Sequence, residues 1–491
     1  MNRFKAIAVL ALLVALAVPA YAETQTVKVS GALDVYSIYR HNYDMRDNND
    51  AGAIPVNVAV PAQAGAGTTI NQSDGDNYFM SIAQIEVAAD LTDNVSVVIR
   101  ILNQRDWNAT AFEATDNGGF TNFRGGENDE SEFNVGIDLA YVQLKEAFYA
   151  PLTLTIGRQD LWFGRGFILG ANYQDPQNTL EADELTAIVS FDAVRATLDF
   201  APWTIDAVFA QIDENSHDPE NDHSFWFGNV NYQFSEYNAE WEGYVMADID
   251  KSLLASAASG AAGTINTPRT AADNDTYTIG TRGQFDPIPQ LTLGAEIAMQ
   301  FGTYFATASS VDRDRNAVAG EVFGEYRFEN AWKPMIGAQY VHFSGDSGVS
   351  ATTNYEAWNG LFRGPTYGDI RDWQQVFYAT ALAVDQPAGT NQQHVSVYGS
   401  LLPMEDLKLE AWYYHFWTDE NIVSGVTSLN DNIGDEVDVH TTYNYTEDVT
   451  FGLWLAFFWP GDLFNNQVGG GTAGETDASV FQSISSVKVV F

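Results

Sequence analysis

Charged side chains recur at alternating positions in several segments of this sequence, an arrangement suited to lining a water-filled passage. The basic members of the set are Arg100, Arg195, Arg282, Arg327 and Lys408. The acidic residues that share the same alternating positions are Glu86, Asp138, Asp199, Glu296, Glu321, Glu325, Glu410, Glu436 and Asp438. Two roles are open for the arginines. They form a charged constriction that filters solutes, or they pair with neighbouring acids and hold the wall rigid.

Catalytic and metal chemistry have little support in the sequence. The seven histidines are spread over different segments, at His41, His217, His223, His342, His394, His415 and His440. The chain has no cysteine, which excludes a cysteine nucleophile, a thiolate metal site and a disulfide scaffold. Neither a nucleophile motif nor a phosphate-binding glycine loop is present. We therefore expect neither an enzyme nor a resident cofactor.

The charge balance excludes further classes. The net charge of −42 excludes a nucleic-acid binder, which needs a basic face to meet phosphates. The hydrophobic content of 45% excludes a disordered acidic tail. Acidic clusters occur at 44–50, 127–130 and 213–222, and oxygen-rich clusters of this kind can hold divalent cations, alone or bridging lipid phosphates. We favour a solvated surface over a cation site for them, because no segment has the full spacing of a calcium loop.

The elements that carry the alternating charges are predicted to be β-strands with one apolar and one polar face. In segment 132–144, for example, Ile137, Leu139 and Tyr141 share one face and Asp138 lies on the other. Reading the whole chain in this way predicts about 18 strands. They lie near 27–40, 77–90, 94–106, 132–145, 152–163, 188–200, 203–212, 223–234, 237–248, 275–285, 291–303, 316–328, 333–344, 391–402, 407–418, 434–445, 448–459 and 478–491.

The connections between these strands alternate strictly between long and short, as in outer-membrane barrels with long extracellular loops and short periplasmic turns. Two long connections, 164–187 and 345–390, are rival candidates for an inward loop that narrows the lumen. Aromatic residues near strand ends, such as Trp226, Trp241, Trp412 to Trp417 and Phe457 to Trp459, are predicted to form two girdles at the membrane interfaces.

Both ends of the sequence agree with export and insertion. Residues 1–22 have a basic start with Arg3 and Lys5, an apolar stretch from 6 to 18, and Ala20-Tyr21-Ala22 before the expected cleavage point. This layout predicts a secretory signal peptide, followed by a barrel over 23–491. The last segment alternates Val487, Val489 and Phe491 against Lys488, and a terminal aromatic residue resembles the recognition signal of outer-membrane barrels.

Two stretches resemble the alginate-export family of outer-membrane barrels. The first is LTLTIGRQDLWFGRGFILG at 152–170, followed by SFDAVR at 190–195. The second is GDEVDVHTTYNYTEDVTFGLWLAFFWPGD at 434–462, which is similar to the family's C-terminal hairpin. Residues 358–373 resemble a loop of the same family less closely. The resemblance implies a single-chain porin with polymer or small-solute passage through its lumen, and the count of 18 strands fits it.

Arg158 lies in the best-matching motif, yet simple alternation places it with Leu152, Leu154 and Ile156 on the lipid side. Charge on that side is costly near the midplane. Either a bulge at Gly157 turns Arg158 inward, or Arg158 lies at the interface above the apolar band. We favour a lumen-facing Arg158 that pairs with a carboxylate.

A conduit for polyanionic alginate is expected to have an arginine-rich lumen. Here carboxylates outnumber cations on the predicted inner wall, which favours small solutes or oligosaccharides as cargo. The sequence therefore predicts an all-β, single-chain, monomeric barrel in the outer membrane, surrounded by lipid and lipopolysaccharide, that acts as a passive pore. The alternatives are an exporter of an anionic polysaccharide and a non-transport barrel, such as an adhesin or a sheath around a partner protein.

Overall fold

The computed structural model of the chain describes residues 26–42, 75–107, 135–149, 151–170, 190–213, 222–251, 274–306, 311–347, 354–371, 390–421, 423–424, 427–428, 430–463 and 478–491. The predicted signal peptide, residues 1–22, lies outside these ranges. One short 3₁₀ turn, Ala147–Tyr149, interrupts the strands. No helix in the described ranges is long and apolar enough to cross a membrane.

Twenty strands occupy the described ranges. They are β1 Thr26–His41, β2 Gly75–Thr92, β3 Val95–Asp106, β4 Gly136–Leu144, β5 Leu152–Gln159, β6 Phe191–Phe200, β7 Trp203–Asp213, β8 His223–Gln233, β9 Glu240–Asp250, β10 Asn274–Ile288, β11 Leu291–Ala306, β12 Val311–Arg327, β13 Met335–Phe343, β14 Gln392–Met404, β15 Leu407–Trp417, β16 Val423–Ser424, β17 Thr427–Ser428, β18 Asn432–Asn444, β19 Val449–Pro460 and β20 Val480–Val490. Eighteen of them form one antiparallel sheet, and β16 pairs only with β17. Each of the eighteen predicted strands is present, but the one predicted over 152–163 ends at Gln159, because residues 160–163 belong to the connection that follows it.

The sheet closes on itself because β1 pairs with both β2 and β20. At the seam the Gly31 N–H donates to the Phe491 carbonyl over 2.8 Å, and the Phe491 N–H donates to the Gly31 carbonyl over 3.0 Å. A Cβ atom added to Gly31 would lie 2.5 Å from Cζ of Phe491, so only glycine leaves room for the terminal ring. A closed barrel satisfies all of its strand edges, which is the condition for crossing lipid with strands.

The outward face carries two aromatic rows. In one row, Phe209 pairs with Trp226 on the next strand, and Tyr277 pairs with Phe301 two strands further on. In the other row, nearer the short turns, Trp203, Tyr232 and Trp241 are directly paired neighbours. Six residues separate the rows along β7, about 20 Å of strand. Because the strands of such barrels tilt by about 35–45°, the rows are about 15 Å apart in height, within an apolar band of about 25 Å.

Not every aromatic residue assigned to a girdle by sequence faces outward. Trp226 and Trp241 are exposed on the outer face, with 59% and 40% of their surface accessible. Phe416 and Phe458 are instead completely buried, because they alternate onto the lumen face and pack in the main apolar cluster. For these two residues, and for Trp412 and Tyr414 on the lumen face of β15, the girdle prediction was wrong, since a run of aromatic residues in a strand necessarily occupies both faces.

A bulge changes the alternation of β4. The register between β3 and β4 shifts between Arg100 and Ile101, so that Leu139 opposes Arg100 while Ile137 opposes Ile101. Asp138 is the extra residue, and Asp138 and Leu139 are both buried. Leu139 therefore does not share the outward face of Ile137, as simple alternation predicted. The bulge brings the Asp138 carboxylate beside the Arg100 guanidinium on the lumen side.

Candidate functional site: a constriction in the lumen

Two long connections, described over 160–170 and 354–371, fold into the lumen and pair with each other. The Gly170 N–H donates to the Phe362 carbonyl over 2.7 Å, and the Phe362 N–H donates to the Ile168 carbonyl over 3.2 Å. A third bond, 2.8 Å long, joins the Gly364 N–H to the Gly166 carbonyl. The sequence left 164–187 and 345–390 as rivals, and the described parts of both are inward. We call 160–170 and 354–371 the loop pair.

Large apolar side chains attach the loop pair to the barrel wall. The Phe362 ring lies 4.9 Å from that of Phe225 on β8 and 5.5 Å from that of Phe191 on β6. The Phe167 ring stacks on Phe343 of β13 at 5.5 Å. Trp358, Phe362, Phe167 and Ile370 are each at most 3% exposed. Burial of this size fixes the loop pair, because each such side chain contributes about 1.5–3 kcal/mol when it leaves water.

Polar contacts place the first part of 354–371 against β11 and β12. Tyr355 stacks on Tyr304 with ring centroids 3.6 Å apart, and Arg313 donates a 2.6 Å hydrogen bond to the Asn354 carbonyl. Arg313 also donates two hydrogen bonds of 2.9 Å to the Asp346 carboxylate. Asn359 and Gln300 bond reciprocally, since the Asn359 N–H donates to Gln300 Oε1 and Gln300 Nε2 donates to the Asn359 carbonyl, each over 2.8 Å.

The end of the same segment reaches β18, nearly half the circumference away from β6 and β8. The Ile370 and Arg371 N–H groups donate to the two oxygens of the Glu436 carboxylate over 2.7 and 2.9 Å. The Asp369 carboxylate lies 2.6 Å from His440 Nε2. Segment 354–371 therefore crosses the lumen, and Glu436 is an anchor for its backbone rather than a free wall charge.

Arg282 lies at the centre of an acid-rich cluster on β9 to β12. Its guanidinium forms ion pairs with Glu240 and with Glu242, the latter at 3.2 Å, and its side chain is only 5% exposed. Glu296 opposes Arg282 in the β10–β11 register and accepts a 2.7 Å hydrogen bond from the Tyr244 hydroxyl. The sequence identified Arg282 and Glu296 but missed Glu240 and Glu242, although the alternation of 240–243 carried the signal.

The cluster continues to β12 through the loop pair. Glu321 opposes Glu296 in the register, and Arg165 of the loop pair lies 2.8 Å from the Glu321 carboxylate. The Arg165 guanidinium also lies 4.0 Å from the centre of the Phe323 ring. Nearer the short turns, Arg327 pairs with Glu325 at 2.6 Å, and Glu325 also accepts a 3.0 Å hydrogen bond from the Tyr398 hydroxyl.

Arg100 has three carboxylates around it on the other side of the lumen. Its guanidinium is bonded to Asp138, lies 3.4 Å from Asp160 and lies 3.8 Å from Glu86. The Asp160 and Glu86 side chains are 47% and 33% exposed, whereas Asp138 is buried. One guanidinium among three carboxylates gives this side of the lumen a negative local charge.

Arg195 and Arg158 lie on opposite faces of the wall. Arg195 pairs with Asp206 at 2.8 Å beneath the Phe163 ring of the loop pair, so it faces the lumen. Arg158 opposes Asp192 in the β5–β6 register. Asp192 is three residues before Arg195 on β6, an odd number, so Asp192 and Arg158 lie on the outer face. The predicted lumen-facing Arg158 was wrong. The β5–β6 register does not shift at Gly157, and Arg158 meets its carboxylate, Asp192, at 3.4 Å on the outer surface.

Apolar residues in long loops were the missed signal for the loop pair. Phe163, Phe167 and Leu169 in one loop, and Trp358 and Phe362 in the other, are too many large side chains to leave in water. Most of the acidic residues considered for a divalent cation, at 44–50, 127–130 and 213–222, lie outside the described ranges.

A family model described as alginate export matches residues 62–475 of the chain. The solved structure of Pseudomonas aeruginosa OccK9 (OpdG) has 11% identity and a TM-score of 0.52, covering 95% of this chain and 98% of that chain. OccK2 (OpdF) of the same organism has 10% identity and a TM-score of 0.51, covering 95% and 99%. These two likenesses show the fold alone. No curated protein matches the chain significantly.

Proposed function

We propose that this chain, which belongs to the alginate-export family and is an outer-membrane channel for the passage of solutes, passes them passively. It favours neutral or weakly cationic cargo, either small solutes or oligosaccharides. The observation that carries the proposal is the loop pair, which crosses the lumen between walls rich in carboxylates. A crossed lumen limits the size of a solute, and fixed negative charge disfavours anions in a narrow, low-dielectric passage.

The pairing of the wall arginines supports this choice over export of a polyanion. Arg100, Arg195, Arg282 and Arg327 each lie within 4 Å of at least one carboxylate. An arginine that already has an anionic partner offers little net positive potential to a passing anion. The four arginines therefore act chiefly as wall ion pairs, and the exposed carboxylates around Arg100 set the sign of the selectivity.

Three further features belong to the same proposal. The barrel works as a monomer, its outer aromatic rows sit in lipid and lipopolysaccharide, and transport needs no catalysis by the chain. The regular outward rows of Phe209, Trp226, Tyr277 and Phe301 support the lipid contact. Residues 1–22 direct export and are removed from the mature chain.

Planar-bilayer recording of the purified protein tests the proposal. We expect discrete conductance steps in KCl and a reversal potential in a salt gradient that shows cation or weak preference. An anion preference would instead support export of an anionic polysaccharide. Absence of conductance from correctly folded barrel would overturn the channel mechanism proposed here and favour a non-transport role as adhesin or sheath.

A further inference from the structure

Four ring-bearing side chains form a continuous row on the lumen face beside the end of the loop pair. The rings of Trp412 on β15 and His440 on β18 are 4.8 Å apart, and those of His440 and Trp454 on β19 are 5.2 Å apart. Tyr36 on β1 follows at 6.5 Å from Trp454. We call these four residues the ring row.

The register shows that the ring row is oblique rather than straight across the strands. Trp412 opposes Asp438, and on β18 Asp438 is two residues nearer the long loops than His440. His440 directly opposes Trp454. Trp454 opposes Ile484, whereas Tyr36 opposes Ser486, two residues further toward the short turns. The row is therefore offset along the strands by two steps, each about 7 Å, and it spans five neighbouring strands of the wall.

The ring row faces the lumen and is accessible from it. His440 has the parity of Glu436 and Asp438 and contacts Asp369 of the inward segment 354–371. The four side chains are neither fully buried nor on the lipid side, and 21% of the His440 side chain is exposed. The aromatic pairs of the outer face, such as Phe209 with Trp226, have no such contact with the inward loops.

Hydrogen-bonding groups flank the rings, and carboxylates outnumber lysines among them. Lys488 lies 3.7 Å from Asp34 near Tyr36, and Lys408 lies 2.7 Å from Glu410, which opposes His440 in the register. His440 has Asp369 beside it. Flat apolar faces next to paired donors and acceptors match a pyranose ring, which has apolar C–H faces and a rim of hydroxyl groups.

We propose that the ring row is a binding track on the lumen wall for linear neutral oligosaccharides, whose successive sugar rings contact successive side chains of the row. The track rests on the proposed passive channel and names its substrate class. Charged saccharides fit it less well. A polyanion would meet the carboxylates of Asp369, Asp34 and Glu410. Lysines offset the charge of Asp34 and Glu410, whereas the partner of Asp369 is an imidazole that carries charge only when protonated.

Current block by a neutral sugar tests the track in the intact barrel. Maltohexaose is added to single channels in KCl, and its apparent dissociation constant is measured for wild type, Trp454→Ala and Trp412→Ala. Trp226→Ala is the matched control, because Trp226 is an outward tryptophan with 59% exposure. We expect concentration-dependent block of wild type, about tenfold weaker block for Trp454→Ala and Trp412→Ala, and wild-type block for Trp226→Ala. Trp454→Phe should restore most of the block.

Calorimetric titration of maltohexaose into the detergent-solubilised barrel gives a second, conductance-independent measurement. An open channel that maltohexaose neither blocks nor binds would overturn the track and leave the passive channel intact. Equal weakening by Trp226→Ala would also overturn it, because that result assigns the effect to barrel stability. Binding that depends on Trp454 in a barrel without conductance would uphold the track and overturn the passive channel instead.

Discussion

The lumen faces of β6–β13 and of β1–β3 alternate in the same way along their strands, but their inward residues differ in kind. On β6–β13 many inward residues are apolar, including Phe191, Phe225 and Phe343, and they join one large cluster with the loop pair. On β1–β3 the inward set includes Asp34, Glu86 and Arg100 beside a cluster of only four buried residues, Ile38, Met80, Ile82 and Ile484. Apolar residues on the lumen-facing side of such a strand, where polar residues are expected, therefore indicate that a loop folds inward over them.

Removing one apolar side chain from each region should give the largest difference in single-channel conductance between them. Phe362→Ala removes the ring that packs against Phe191 and Phe225 and should cost about 3–5 kcal/mol, with the loop pair released. Single-channel conductance should then increase severalfold. Ile484→Ala, in the small cluster, is the control and should destabilise the barrel without increasing conductance. Equal conductance of the two variants would contradict the assignment of the constriction to the loop pair.

Loss of the buried Arg282 should destabilise the barrel more than loss of the exposed Arg327. Arg282→Met leaves Glu240 and Glu242 without their cation in a buried site and should lower the free energy of unfolding by about 3 kcal/mol. Arg327→Met is the control, because Arg327 is 52% exposed and its pair with Glu325 should contribute at most about 1 kcal/mol. Denaturant unfolding of the refolded barrel measures both, and similar losses would show that burial does not separate them.

Arg100 is expected to affect selectivity more than stability. Arg100→Gln leaves the exposed Glu86 and Asp160 carboxylates unbalanced and should increase the cation-to-anion permeability ratio by about twofold to fivefold. Asp160→Asn should shift the ratio in the opposite direction. Reversal potentials in a KCl gradient measure the change, and they should respond less at high salt because of screening. A ratio that both variants leave unchanged would move the selectivity filter away from this side.

Arg158 should give the smallest effect, because it faces outward. Arg158→Gln removes an exposed pair with Asp192 and should change stability by at most about 1 kcal/mol, with conductance and selectivity unchanged. The same recordings used for Arg100→Gln check this expectation. A shift in reversal potential comparable to that of Arg100→Gln would place Arg158 on the conduction path after all.

Strand periodicity made most of the barrel predictable, because burial on one face imposes a period of two that a sequence displays directly. The lumen positions of Glu86, Arg100, Arg195, Arg282, Glu296, Glu325 and Arg327 follow from that period alone. Asp138 was also predicted to face the lumen, but its position beside Arg100 depends on the bulge in β4. The outward position of Arg158 also follows from the period. The favoured inward Arg158 failed because it assumed a bulge at Gly157, and the actual bulge occurs at Asp138 on the adjacent strand.

Contacts between distant parts of the chain were not predictable in the same way. Alternation states which face a residue occupies but not which loop covers it, so the pairing of Phe362 with Ile168 and Gly170 has no local signature. Ion-pair partners depend on the register between strands, which turn lengths fix only approximately. Examples are Asp206, the partner of Arg195, and Glu240 and Glu242, the partners of Arg282. The role of Glu436 as an anchor for backbone N–H groups likewise needed the fold.

The crossing of segment 354–371 from the β6–β8 wall to β18 has a mechanical consequence. A hollow cylinder one sheet thick flattens easily under lateral pressure, because bending it breaks no strand pairing. Segment 354–371 contacts one wall through Phe362 and the opposite wall through the Glu436 carboxylate, so it should resist that flattening. We therefore expect the cross-section of the lumen, and with it the size limit for solutes, to vary less with fluctuations of the bilayer than in a barrel without this segment.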